Sequence, residues 1–230
     1  MKATTVESVR ALQLLSEAAE WRLLSMLFAC PQGDWREHVT MLAREVPDVE
    51  LQHAARCMME EAGEGLYHST FGPGGPAAPR EVSHREYMTP GASLAELAAY
   101  YEAFAFNPVT DEPPDHVAVE CDFVAYLRVK EAYALVRGDG QHATIAADAA
   151  RHFQQDHLAM LAQPLQESLT ASGIEYLQRA AGVLLQRVGP APNAGTSFGA
   201  SLAILEDDVP VCGGEFAENR PEDASPDLLH

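Results

Sequence analysis

The sequence predicts an all-α fold, a compact bundle of about eight to ten helices. Apolar residues recur at three- and four-residue spacing through most of the first 190 positions, the period of amphipathic helices. No strand pattern of comparable strength appears, and neither a Gly-rich phosphate loop nor an internal repeat is present. Apolar residues make up 47% of the 230, enough to fill one large core and to argue against global disorder.

The elements follow in order. Residues 5–29 read as a long helix with Val6, Val9, Leu12, Leu15, Ala19, Leu23, Met26 and Leu27 as its apolar positions, stopped by Pro31 and Gly33. Asp34 and Asp48 are placed to cap the next two helices. Residues 72–92 hold four prolines and four glycines, so this stretch is an internal connection between two helical halves. Val82, Tyr87 and Met88 suggest that part of it packs down. Ser93 with Glu96 has the spacing of a capping box, opening a helix whose face carries Leu94, Leu97, Tyr101 and Phe104. Asp115 is positioned to cap a helix that runs to Arg137 and stops at Gly138, with Val119, Phe123, Tyr126, Leu127 and Ala134 as its buried stripe. Further helices are expected at about 142–161, from Pro164 onward, and from Ile174 to Gly189. The helical domain is thus residues 1–189, followed by a flexible acidic tail over 190–230.

The formal net charge is −19, from 34 acidic and 15 basic residues. That disfavours nucleic acid and anionic membrane surfaces and suits a basic partner, although acidity also serves solubility alone. The four cysteines are far apart, without a C-x-x-C pair, which argues against a disulfide framework or a cysteine zinc site. No stretch approaches a membrane span and no signal-peptide pattern opens the chain, so a cytoplasmic location is expected.

Nine histidines invite a metal reading, but His152 and His157 are five apart and fall on different helix faces. His116 and Glu120 have suitable spacing, yet two ligands do not make a site, so no metal and no cofactor are expected. There is no G-x-S-x-G elbow or other nucleophile motif.

The richest stretch is DEPPDHVAVECDFVAYL, 111–127. Asp115, His116 and Glu120 read either as a cap with a surface pair or as a recognition edge. Acids at 111, 112, 115, 120 and 122 crowd a helix lined with Phe123 and Tyr126, while Tyr100, Tyr101, Phe104 and Phe106 arrive from the preceding helix. An apolar groove with an acidic rim is what an arginine-bearing, partly apolar peptide needs.

YEAFAF, an acidic loop and PPDHVAVECDFVAYL together resemble the signature of the TorD/DmsD/NarJ family of molybdoenzyme maturation chaperones. Tyr101, Phe104, Phe106, Asp115, His116, Glu120, Phe123 and Leu127 fill the family's places, and Phe153, His157, Leu158 and Pro164 match a later set. Two positions depart: Ala105 stands where a glycine is usual and Cys121 where a leucine is usual. The overall character looks closest to the delta-subunit type of the DMSO-reductase type II group.

The resemblance implies a chaperone without chemistry of its own. It would bind the apo catalytic subunit of a molybdenum enzyme, often at a twin-arginine leader, until its cofactors are in place. On that reading Asp115, His116, Glu120, Asp122, Phe123, Tyr126, Tyr101, Phe104, Phe106 and His157 contact the client. A monomer and a domain-swapped dimer both stay open. So do a helical metal-dependent hydrolase and a structural subunit of a redox complex.

Overall fold

The computed structural model describes residues 5–85 and 89–191. The expected acidic tail lies almost wholly outside them, as do Tyr87 and Met88. The described elements are α1 (Thr5–Phe28), α2 (Trp35–Glu45), α3 (Val49–Glu61), α4 (Glu64–Phe71), a 3₁₀ turn (Glu81–His84), α5 (Pro90–Ala103), α6 (Val117–Val136), α7 (Gly140–Phe153), a π turn (Gln154–Leu158), α8 (Ala159–Ser172) and α9 (Glu175–Val188). The all-α class expected from periodicity is borne out.

Helix α6 is the central element. It packs along α1 and against α7 and the π turn, while α9 packs on α3 and α8. Ion pairs fix the sense of the α1–α6 pairing: Arg22 meets Asp122, Glu17 meets Arg128 and Arg10 meets Glu131. Numbers rise on one helix as they fall on the other, so the two run antiparallel.

Local chemistry explains most boundaries. Asp48 caps α3, its Oδ1 accepting from Glu50 N at 2.9 Å and Leu51 N at 3.1 Å. Asp34 precedes α2 without a side-chain bond to it. Helix α6 ends before Gly138, whose φ of +70° is the left-handed conformation that glycine adopts without strain. Ala105 follows α5 with a φ of +52°, which accounts for the glycine usual there in the family that the sequence resembles.

Several expectations are corrected. Val6, Val9, Leu12 and Leu15 are 79%, 52%, 68% and 46% exposed, and the buried side of α1 there is Ala11, Leu14, Ala18 and Trp21. Successive three-residue steps drift around a helix, and this half of α1 packs chiefly on α6, so only a narrow stripe is covered. Helix α5 begins at Pro90 behind Thr89, which places Ser93 inside the helix rather than in a capping box. The cap of α6 is His116, not Asp115: its Nδ1 accepts from Ala118 N at 3.1 Å. Helix α7 continues through the π turn into α8, which carries Pro164 internally, where a break was expected.

Candidate functional site

The connection between α4 and α5 acts as a strap across the start of α6. Pro79 O accepts from Val117 N, and Glu81 N donates to Asp115 O, both at 2.9 Å. These two bonds form an isolated antiparallel bridge between Arg80 and His116. Arg80 clamps the Asp115 carboxylate through Nε at 2.9 Å and Nη2 at 2.8 Å. Glu81, next along the strap, is fully buried. It accepts from His157 Nδ1 in the π turn and from Arg85, whose guanidinium also donates to the Asp156 carbonyl.

Beside Glu81 sits Glu120, fully buried, its carboxyl group facing that of Glu81 and held by no other side chain. Burial first, then the charges of Glu81 and Asp115, push its pKa well above the ordinary carboxylate value, which favours the neutral form of Glu120. Burial also pushes Glu81 upward, but His157 and Arg85 outweigh it and hold Glu81 below its ordinary value. The two acids are thus pushed apart: His157 and Arg85 favour the charged form of Glu81, and burial favours the neutral form of Glu120.

His116 is 1% exposed, and burial lowers its pKa to about 4. Its Nδ1 is an acceptor, so neutral His116 carries its proton on Nε2, which lies 3.1 Å from the Tyr67 hydroxyl. Tyr67 in turn donates to Glu112 Oε1 at 2.5 Å. This relay ties α4 to the 107–112 loop and to the first turn of α6.

Asp115, His116, Glu120 and His157 are thus interior groups in this conformation, not a surface edge. The helical period places Glu120 beyond the apolar stripe of α6, but the strap and the π turn cover that side as well. Phe123 is fully buried, with ring centroids of Tyr101 at 4.9 Å, Phe106 at 5.1 Å and Phe153 at 4.7 Å. Tyr101 and Phe106 are core residues, and Phe104 is half-buried against them. Tyr126 is half-buried, its hydroxyl donating to Phe104 O at 3.0 Å, and Asp122 is half-buried beside Arg22.

Two surface hollows flank these buried groups. A groove of about 640 Å³ lies between the end of α1, the start of α2, the 107–112 loop and the first turns of α6. Met26, Trp35 and Val109 supply apolar wall, and Asp111, Glu112 and Asp122 supply carboxylates. A second hollow of about 350 Å³ runs between α1 and α6 and is almost wholly apolar, with Leu15, Ala19, Phe106, Tyr126 and Val129 among its lining. Sequence reasoning missed Trp35 and Met26, because the signal lay only in the folding of α1 and α2 against the 107–112 loop.

Among the described residues no group of three or more His, Cys, Asp or Glu is placed to hold a metal ion. No described helix is long and apolar enough to cross a membrane.

A helical bundle with an acid-rimmed open groove and a strapped Asp-His motif has the features of a protein that binds other chains. The sequence model of the nitrate reductase delta subunit family matches residues 34–165, a span that takes in the strap, the motif and the π turn. The chain belongs to that family, and the resemblance read from its residues is borne out. It is 30% identical over 167 residues to the selenate reductase assembly chaperone protein of Thauera selenatis, covering 70% of this chain and 80% of the relative. It is 37% identical over 87 residues to the chlorate reductase assembly chaperone protein of Ideonella dechloratans, covering 37% of this chain and 44% of that relative.

Proposed function

We propose that this protein is an assembly chaperone for the catalytic subunit of a molybdenum-dependent reductase. It binds the apo subunit in the cytoplasm before its cofactors are in place, and it performs no chemistry on the client. Family membership and the two chaperone relatives support the role.

The groove carrying Asp111, Glu112, Asp122, Trp35 and Met26 is the reading's client-binding site. The observation that carries it is the meeting of carboxylates and apolar wall in one open hollow. A guanidinium gains charge-assisted hydrogen bonds from the carboxylates, and apolar client side chains lie on Trp35 and Met26. A twin-arginine leader has this chemistry. Of the residues expected to touch the client, Asp122 and Tyr126 line open surface, and Phe106 contributes to the apolar hollow. Asp115, His116, Glu120, Phe123 and His157 act one layer beneath, holding the strap and α6 in register.

The test is a strain lacking this protein, with the client subunit purified and its molybdenum content measured. The reading expects a cofactor-poor client, restored by the wild-type chain and only partly by an Asp111→Asn, Glu112→Gln variant. A fully loaded client from the deletion strain would overturn it.

A further inference from the structure

Arg22 and Asp122 line both hollows, and Arg22 Nη1 lies 2.6 Å from Asp122 Oδ1. The pair therefore stands on the divide between the acidic groove and the apolar hollow. The Arg22 side chain is 49% exposed, against 26% for Asp122. Glu112 is engaged on its inner side by the Tyr67 hydroxyl, whereas Asp122 is held by the half-exposed Arg22.

We infer that Arg22 is a built-in competitor: it occupies Asp122 in the free chain, and a client arginine binds by displacing it. The inference rests on the groove being the client site and adds the order of the client's chemistry. The cation sits at Asp122, and the apolar residues beyond it lie along the Leu15–Val129 hollow. Displacement is feasible because an exposed ion pair is weak, held by modest Coulomb attraction in a high dielectric. The incoming peptide gains more than Arg22 loses, since it brings a second arginine to Asp111 and Glu112 and apolar side chains to the hollow. A second copy of the chain is the poorer occupant, since each copy carries a formal net charge of −19.

The test uses the full-length chain and two labelled synthetic peptides, one with paired arginines ahead of an apolar run and one with both arginines replaced by glutamine. Binding is read by fluorescence anisotropy for wild type, Arg22→Gln, Asp122→Asn, the double variant of these two, and Glu112→Gln. Arg22→Gln should tighten the arginine peptide about two- to fivefold and leave the glutamine peptide unchanged. In the Asp122→Asn background the gain should vanish, because no carboxylate remains to be freed. Arg22→Ala serves as a second variant at this exposed position.

A gain that persists without Asp122 would reduce the effect to general electrostatics and overturn the inference, as would unchanged or weaker binding by Arg22→Gln. In those cases weaker binding by Glu112→Gln would leave the groove assignment standing. Failure of wild type to bind the arginine peptide, with Glu112→Gln no different, would overturn both. Dimerisation that the peptide does not reverse would assign the groove to a second copy and also overturn the inference.

Discussion

His157 Nδ1 lies 3.2 Å from both carboxylate oxygens of Glu81, and both residues are fully buried. The contact spans 76 positions of sequence and fastens the strap to the π turn. Removing one partner of a buried charged network leaves the others uncompensated. Glu81→Ala should therefore cost about 3–5 kcal/mol in denaturant unfolding. A loss under about 1 kcal/mol, the scale of an exposed pair, would show that the strap is not latched there.

Glu120 makes the opposite contribution at neutral pH. Its folded-state pKa is well above the ordinary 4.5, so between those values the native state holds a proton that the unfolded state releases. Stability then falls as pH rises above about 4.5. Glu120→Gln removes this titration and should raise stability at pH 8, with the gain shrinking toward pH 4. A gain of equal size at both pH values would contradict a protonated Glu120.

His116 titrates with the other sign. Burial lowers its pKa to about 4, so the stability linked to neutral His116 is fully present above its ordinary 6.5. That stability, about 3 kcal/mol, is lost as pH falls through about 4. Arg80 helps to hold the value down, after burial. Arg80→Ala should raise the His116 pKa measured by NMR, and cost about 1–2 kcal/mol once solvent screening of a side chain 40% exposed is allowed for. An unmoved His116 titration would remove Arg80 from its environment.

Ala105 holds a left-handed backbone at φ +52°. Ala105→Gly relieves about 1–2 kcal/mol of strain and loses about 0.4–1 kcal/mol through the more flexible unfolded chain. A net gain of roughly 0.5–1 kcal/mol in thermal or denaturant unfolding is expected. Destabilisation would mean that the backbone there does not favour glycine.

The sequence made the helices legible wherever local chemistry ends them. Asp48 caps α3 as expected, and Gly138 and Gly189 close α6 and α9 at positive φ. Capping was misread where tertiary contacts outcompete it: Asp115 has a cap's position, but Arg80 takes its carboxylate and leaves His116 to cap α6. The candidate site was legible in composition and not in placement. The spacing of His116 and Glu120 is that of exposed helix neighbours, and only the strap, arriving from residues 79–85, buries them. Asp111, Glu112 and Asp122 kept the acidic-rim role, with a wall from Trp35 and Met26 that no local pattern announces.

The central claim is that the chain holds an unfinished client at the acid-rimmed groove. Its most direct test is the affinity of the full-length chain for the client's catalytic subunit in apo and cofactor-loaded forms. The wild type and an Asp111→Asn, Glu112→Gln variant should be compared at matched folding stability. The account predicts tight binding of the apo form, much weaker binding of the loaded form, and roughly a tenfold loss in the variant, the effect of about 1.4 kcal/mol. Equal affinity for both forms, or a variant that binds as wild type does, would contradict it.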